Sequence, residues 1–231
     1  MIITIDGPVA TGKSTIAKKL AQAVGYIYYD TGAMYRAVAY AALQKKIDVN
    51  DPKALDELLK DFDFRIKFNR GERGYYLNGQ DITDAIRKEE VSNFASKVSA
   101  IPQVREKLVS LQRQLAQGLN AVFEGRDMGT VVFPNANLKI FLTGRDDIRA
   151  KRRFDELRGK YPEETKDLTQ EQVLKDLHER DEYDMNRQYS PLKKAEDAFE
   201  IDTSDLTIDE IVFKILECRD LAAQAAKKKK Q

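Results

Sequence analysis

Residues 7–14 read Gly-Pro-Val-Ala-Thr-Gly-Lys-Ser, a complete match to the phosphate-binding pattern G-x-x-x-x-G-K-[ST]. An apolar run at residues 2–5 precedes the pattern, and a helical run at residues 14–24 follows it. In that context the glycines let backbone N–H groups approach phosphate oxygens, and the helix N-terminus adds a positive dipole end. We expect Lys13 to contact the outer phosphates of ATP and Ser14 to provide a hydroxyl ligand for Mg2+. The predicted ATP-binding residues are Gly7, Pro8, Val9, Ala10, Thr11, Gly12, Lys13, Ser14 and Thr15.

The arrangement of apolar runs predicts an α/β protein, and the phosphate-binding pattern between the first run and a helix assigns it to the P-loop NTPase fold. Helical patterns separate five short runs, which indicates a five-stranded parallel sheet flanked by helices; the runs are residues 2–5, 26–29, 121–123, 138–142 and 198–201. Alternating apolar residues from Phe64 and the pair Asn78–Gly79 predict antiparallel strands at about 61–83. We interpret the chain as one domain, 1–231, with a core of 1–60 and 88–231 and an insertion at about 61–87.

The composition is that of an ordinary globular protein, long enough for one sizeable α/β domain with a small insertion. The formal net charge is +1, which argues against bulk binding to nucleic acid. The single cysteine, Cys218, together with the absence of a signal peptide or a long apolar run, points to a cytoplasmic protein that does not enter membranes. We expect a monomer. The lysine run at residues 227–230 could bind polyanions, although a solvated, disordered end is the interpretation we favour.

Two helices are marked by capping boxes. Thr169 and Gln172 form one, flanked by a hydrophobic staple, and this helix should end near Arg187 because Pro191 follows. Thr207 and Glu210 form the other.

A second set of polar residues follows the second and third predicted strands, where an open sheet receives ligands. Thr31, Tyr35 and Arg36 come after the second strand, and a capped helix start with a surface arginine is the alternative. Arg126 and Asp127 follow the third strand and form either a simple ion pair or a phosphate clamp beside a hydrogen-bond acceptor.

Two later helices present arginines on one face. Arg180, Asp184 and Arg187 continue an apolar stripe, which favours a helix that leaves the core to line a polar cleft. A solvent-exposed pair between Arg180 and Asp184 is the alternative.

The helix that follows the fourth predicted strand carries Arg149, Arg152 and Arg153 at i, i+3 and i+4, on one face. These charges could close over a phosphate chain, while a solvated helix face explains them equally and is the commoner case.

Together these features resemble the bacterial cytidylate kinases over essentially the whole chain. The matching segments are Ile5–Pro8 with the phosphate-binding pattern, residues 30–36, Ala95-Ser96-Lys97 with Arg105, residues 125–134, and residues 179–187. The run Gly-Arg-Asp-Met-Gly-Thr at residues 125–130 is the most specific of them.

The resemblance implies a nucleoside monophosphate kinase that converts ATP and CMP or dCMP into ADP and CDP or dCDP. It also implies a mobile helical lid at about 149–168. By position, it implies that the cytosine is contacted by Ser96, Arg105 and Asp127. It implies that the pentose is contacted by Arg180 and Asp184. The acceptor phosphate would be held by Arg36, Arg126 and Arg187, with Thr31 and Tyr35 alongside. Arg149, Arg152 and Arg153 would be lid arginines, so the catalytic set is Lys13, Arg126, Arg149, Arg152, Arg153 and Arg187. Thr31 stands in place of the family's serine, and a magnesium role for Glu124 stays open.

Other functions remain possible from the residues alone. The chain contains no Asn-Lys-x-Asp motif, and its third strand ends in Glu124 rather than aspartate, which disfavours switches and motors. A related P-loop kinase acting on UMP, AMP, dTMP or shikimate is the nearest alternative. A nucleotide-binding regulatory module that uses the lysine run to bind RNA is an alternative from another class, and an inactive structural protein is a third.

Overall fold

The computed structural model describes residues 1–69 and 72–228. Its main sheet is parallel and five-stranded. The order across the sheet is β2 (Ile27–Asp30), β6 (Ala121–Gly125), β1 (Ile2–Asp6), β7 (Leu138–Thr143) and β8 (Phe199–Asp202). Each strand falls within two residues of a predicted apolar run, so the predicted sheet is confirmed. Because β1 is central, the residues that follow it lie at the middle of the carboxyl edge.

The chain forms two compact units, and the first contains residues 1–29 and the chain from Ala116 onward. Its helices are α1 (Lys13–Val24), α6 (Asp146–Lys160), α7 (Gln170–Asn186) and α8 (Ile208–Lys228). The strands show little alternation between apolar and polar residues, because helices cover both faces of the sheet. The core combines aliphatic side chains of the sheet with those of α1 and α8, including Ile3, Ile5, Leu20, Val122, Ile140 and Ile215.

Helix starts in this unit follow their local signals. Both halves of the Thr169–Gln172 capping box are present, as are those of Thr207 and Glu210. Helix α8 continues through Lys228 because alanine and lysine are strong helix formers. The predicted disordered end is therefore wrong for residues 227 and 228, while 229 and 230 lie outside the described residues. Within residues 1–69 and 72–228, no helix has the length and apolar character needed to cross a bilayer.

The second unit covers Asp30–Leu115. It contains α2 (Thr31–Gln44), α3 (Pro52–Lys60), α4 (Glu89–Val98) and α5 (Pro102–Leu115), with an antiparallel sheet of β3 (Phe64–Asn69), β4 (Glu72–Leu77) and β5 (Gln80–Asp81). The predicted antiparallel insertion is confirmed, and Asn78 and Gly79 make the turn between β4 and β5 with φ of 49° and 83°. The unit extends beyond the predicted insertion on both sides, and the division of the chain at 61–87 stays a prediction.

Candidate active site

The phosphate-binding loop runs from the end of β1 to the start of α1. Gly7 has a φ of 149°, and a Cβ built there would lie 2.2 Å from the carbonyl oxygen of Leu142 on β7. Only glycine allows the chain to leave the sheet so close to the neighbouring strand. Gly12 is left-handed with a φ of 81°, and α1 begins at the next residue. The predicted loop therefore ends on a helix N-terminus, with Ser14 and Thr15 exposed in the first turn.

The Lys13 side chain lies back over this loop. Its Nζ donates to the carbonyl oxygen of Pro8 at 2.5 Å, and only 6% of the residue is exposed. Burial lowers the pKa of the ammonium below its usual range, and the positive charge of Arg126 lowers this pKa further. Glu124, Asp181 and other carboxylates act in the opposite direction. Lys13 thus lies within electrostatic reach of an arginine that was predicted to bind the acceptor phosphate.

Asp6 is a buried carboxylate that was not predicted as a site residue. Its Oδ1 accepts the N–H of Met128 at 2.9 Å, and its Oδ2 accepts the N–H of Gly129 at 2.8 Å. Burial raises the pKa of Asp6 to about 7, the two backbone hydrogen bonds oppose that rise, and the charge of Asp127 adds to it. The residue that ends β1 therefore holds the turn that follows β6. A charged residue at the end of a buried apolar strand was the available sequence signal.

Two arginines and two buried aspartates form an ion-pair cluster within the first unit, in which the Arg126 side chain is half-buried. The Nε of Arg126 donates to Oδ2 of Asp184 at 2.9 Å. The Nη1 of Arg187 lies 3.7 Å from Asp184, and its Nη2 lies 3.8 Å from Asp127. Asp127 and Asp184 are almost fully buried. Thus α7 does turn its charged face inward, and Asp184 pairs with Arg126 rather than lying exposed beside Arg180.

The carbonyl of Ser190 fixes the position of Arg187. Ser190 has a φ of 52°, and its carbonyl oxygen accepts the Nε–H of Arg187 at 2.6 Å. Left-handed backbone is unfavourable for a serine, and such strain is found where a structure must orient a particular group. Arg187 is therefore held just after the end of α7, with its guanidinium in the cluster.

The predicted lid arginines all have partners in this conformation. Arg149 is buried and bonds Asp146, Asp181 and the carbonyl oxygen of Val9. Arg152 donates to Thr203 at the end of β8. Arg153 forms a partly exposed ion pair with Glu156 at 2.9 Å. The three arginines therefore share a helix but do not converge on one point.

The metal site predicted at Ser14 fits magnesium by its donor chemistry. Within the described ranges 1–69 and 72–228, no group of three or more His, Cys, Asp or Glu residues could hold a metal ion. Mg2+ in kinases takes one or two protein ligands and fills its octahedron with phosphate oxygens and water. The exposed hydroxyl of Ser14 at the start of α1 has the donor chemistry of such a ligand. Glu124 is buried at the end of β6 and accepts the Tyr28 hydroxyl at 2.6 Å.

The second unit carries the other predicted acceptor residues. Asp30 caps α2 by accepting the N–H of Ala33 at 3.0 Å, and its other oxygen pairs with Arg36 at 2.8 Å. A side chain at Gly32 would lie 3.0 Å from the Arg36 guanidinium, so glycine leaves room for this pair. Arg36 is thus an ordered arginine at a helix start, with about a quarter of its side chain exposed.

Arg105, also in the second unit, is buried on α5. Its Nη1 donates to the carbonyl oxygen of Ser99 at 3.0 Å, and its guanidinium lies 5.5 Å from the centre of the Tyr35 ring. Thr31 is buried at the first position of α2, and Ser96 is half-buried on α4. A buried arginine held by a carbonyl and an aromatic ring can donate further hydrogen bonds in a fixed direction.

These features define the class of protein. The strand order, the loop between β1 and α1, and the cluster of Arg126 and Arg187 with two buried aspartates are those of a P-loop kinase. A gluconokinase from Sinorhizobium meliloti 1021 shares the fold, with a TM-score of 0.51 and 12% identity over 99% of this chain and 97% of that one.

Sequence comparison resolves the family within that class. The family model described as cytidylate kinase matches residues 3–220. A cytidylate kinase of Protochlamydia amoebophila (strain UWE25) is 63% identical over 220 residues, covering 95% of this chain and 96% of that protein. One of Bacillus subtilis (strain 168) is 47% identical over 215 residues, covering 93% and 94%. This chain belongs to the cytidylate kinase family.

Proposed function

We propose that this protein transfers the terminal phosphoryl group of ATP to CMP and dCMP. The observation that carries the proposal is the half-buried Arg126, which Asp184 holds at 2.9 Å on the turn after β6 and whose positive charge lowers the pKa of Lys13. A kinase must bring two phosphate groups together in line, and each needs cationic partners. Family membership supplies the identity of the acceptor.

On the donor side, we propose that the residues from Gly7 to Thr15 bind ATP. The N–H groups of the loop hydrogen-bond the phosphates, and Lys13 leaves Pro8 to pair with the outer phosphate oxygens. Ser14 would hold Mg2+, which when bound neutralises charge on the phosphates. Burial of Lys13 increases the strength of its interaction with an anion, because little water screens it.

On the acceptor side, we propose that Arg126 and Arg187 bind the monophosphate. Their carboxylate partners keep both guanidinium groups ordered before the substrate arrives, so little ordering remains to be done on binding. Asp127 would accept from the cytosine amine, and Arg180 and Asp184 would contact the pentose. For the second unit we propose contacts of its own with the nucleotide, from Thr31, Tyr35 and Arg36 to the phosphate and from Ser96 and Arg105 to the base.

We propose that Arg152 and Arg153 neutralise charge on the transferred group when the lid closes. Both would give up partners that cost little to break, since Arg153 is partly exposed and Arg152 bonds a neutral threonine. No covalent intermediate is required, because phosphoryl transfer depends mainly on alignment and charge neutralisation. We further propose a cytoplasmic location, because the single cysteine is typical of a reducing compartment, and a monomeric state.

A coupled assay of ADP release across a nucleotide panel tests the proposal. With ATP and magnesium, CMP and dCMP should be turned over at least ~10²-fold more efficiently in kcat/KM than UMP, AMP or dTMP, since unsatisfied buried groups reject a mismatched base. Equal use of UMP and CMP would contradict the assigned acceptor. ATP turnover that no monophosphate stimulates would favour a regulatory module instead.

A further inference from the structure

Asp181, in the middle of α7, contacts the phosphate-binding loop directly. Its Oδ1 accepts the backbone N–H of Val9 at 3.0 Å, across 172 positions of sequence. Its Oδ2 accepts from Nη1 of Arg149 at 2.5 Å. Only 5% of Asp181 is exposed, so both hydrogen bonds are shielded from water. None of the predicted site roles includes Asp181.

Arg149 completes this contact from α6. The same Nη1 that pairs with Asp181 also donates to the carbonyl oxygen of Val9 at 3.0 Å, and Nη2 donates to Asp146 at 2.5 Å. Both backbone polar groups of Val9 are therefore held by one buried ion pair between two helices. Neither peptide group of Val9 can therefore reorient without breaking a hydrogen bond to that pair.

Apolar packing supports the same part of the loop. Val9 and Ala10 pack against a small cluster formed by α6 and α7, whose buried members are Ala150, Leu157, Val173 and Leu177. Ala10 itself is left-handed, with a φ of 61°, a conformation that alanine adopts only when its surroundings enforce it. The tip of the loop is thus held in an intrinsically unfavourable shape by contacts from α6 and α7.

We infer that Asp181 is a positioning residue that fixes the tip of the phosphate-binding loop for ATP, and that Arg149 acts with it by cancelling its charge. The reason is electrostatic. An unpaired carboxylate beside the loop would repel the phosphates of ATP, whereas a paired one orders the loop without opposing the ligand. This assigns Arg149 to the support of the loop rather than to direct contact with the transferred group.

Asp184, one turn further along α7, provides the internal comparison. It is as buried as Asp181, but its partner is Arg126 in the predicted acceptor cluster. Substitution of Asp181 should therefore weaken mainly the binding of ATP, whereas substitution of Asp184 should weaken mainly the binding of CMP. The inference rests on the proposed function for the identity of CMP as acceptor, whereas its ATP readout does not depend on that identity.

The test measures binding of the non-hydrolysable analogue AMPPNP with magnesium, and separately of CMP, by titration calorimetry. Asp181→Asn should weaken the binding of AMPPNP about tenfold and change the binding of CMP by less than twofold. Arg149→Met should weaken AMPPNP more than Asp181→Asn does, because it leaves a buried negative charge beside the loop. The double variant should bind AMPPNP better than Arg149→Met alone, since the repelling charge is gone.

Two control variants complete the design. Asp184→Asn should show the reverse pattern, with CMP binding weakened more than AMPPNP binding. Asp176→Asn, which removes a carboxylate from the exposed face of the same helix, should alter neither. Equal weakening of both ligands in Asp181→Asn, unchanged AMPPNP binding in it, or no recovery in the double variant would overturn the inference.

A folding defect does not obscure the result. If Asp181→Asn melts below the assay temperature, Asp181→Glu keeps the charge and displaces it by one methylene. Weaker AMPPNP binding with unchanged CMP binding then supports the inference, and parallel weakening overturns it. Failure of the proposed function is seen separately, as wild-type protein that binds AMPPNP but neither binds nor phosphorylates CMP.

Discussion

Asp6 and Gly129 are joined by a 2.8 Å hydrogen bond between a buried carboxylate and a backbone N–H, 123 positions apart in the chain. This bond ties the strand that leads into the phosphate-binding loop to the turn that carries Arg126 and Asp127. The carboxylate loses most of its hydration there, and only two N–H groups replace the water. Its pKa is consequently raised to about 7.

The raised pKa predicts a pH dependence of stability. The folded state holds the Asp6 proton more tightly than the unfolded chain, so the stabilising contribution is complete below about pH 4 and is lost as the pH rises through 7. A change in pKa from 3.8 to about 7 corresponds to on the order of 4 kcal/mol. Urea unfolding of wild type and Asp6→Asn from pH 4 to 8 should show wild type losing stability relative to the variant. If the difference in the free energy of unfolding between wild type and Asp6→Asn stayed constant with pH, the raised pKa of Asp6 would be contradicted.

The close approach of Gly7 to β7 predicts a large cost for any side chain at that position. Gly7→Ala combines an unfavourable φ with a contact of 2.2 Å to the Leu142 carbonyl. Gly25→Ala is a matched control, because Gly25 has a φ of 69° and nothing within 4 Å of the built Cβ. We expect Gly25→Ala to lower the free energy of unfolding by about 1–2 kcal/mol, and Gly7→Ala to cost at least ~2 kcal/mol more. Equal midpoints in urea would show that β7 moves aside at little cost.

Removing the Lys13 ammonium should reduce activity without reducing stability. Lys13→Ala deletes the charge that neutralises the donor phosphates, so kcat should fall by at least ~10²-fold, or ~2.7 kcal/mol. The melting temperature should stay the same or rise, because burying that charge is unfavourable and depresses its pKa. Lys18→Ala, on the exposed side of the same helix, should change neither quantity. Normal turnover by a folded Lys13→Ala protein would remove the loop from the mechanism.

Asp127 should determine the preference for cytosine. Its carboxylate can accept from the exocyclic amine of cytosine but would oppose the carbonyl oxygen of uracil. Asp127→Ala should therefore narrow the ratio of kcat/KM for CMP over UMP by at least ~10-fold, chiefly by reducing CMP turnover. Because Asp127 lies 3.8 Å from Arg187, both substrates must be measured in the variant. An equal loss for CMP and UMP would indicate a disturbed phosphate site instead.

The lid arginines should act after substrates bind. Arg153→Ala should reduce kcat several-fold while CMP binding stays within twofold. Lys151→Ala, which removes an exposed cation from the same helix, is the control. Amide exchange across residues 149–168 should slow when ATP and CMP analogues are bound together. Exchange that is identical with and without ligands would show that this segment does not close.

Local signals predicted the elements well because their causes are local. The capping box at Thr169, the Asn78–Gly79 turn and the apolar strands each depend on neighbouring residues, and all were confirmed. The prediction of a disordered end was wrong for the last lysines of α8, because a terminal run of charges indicates disorder whereas the helix propensity of alanine and lysine extends the helix.

Long-range pairings could not be predicted in the same way. Asp6 bonds backbone groups, which no side-chain pattern identifies, and Asp184 pairs with an arginine 58 positions away. The face of Arg149 looked like a solvated helix surface, whereas tertiary packing buried that guanidinium between two aspartates and the loop. The individual roles of the site residues stay predictions, because they depend on ligand geometry that sequence pattern alone does not define.

The spacing of Asp181 and Asp184 on α7 also restricts how the family can diverge. Each added or deleted residue rotates the following part of a helix by about 100°, so one inserted residue between the two would turn one carboxylate away from its partner. We therefore expect this part of α7 to tolerate substitutions but not insertions or deletions. An attempt to graft a different acceptor preference onto this enzyme has to keep the helical phase of residues 181–184 intact.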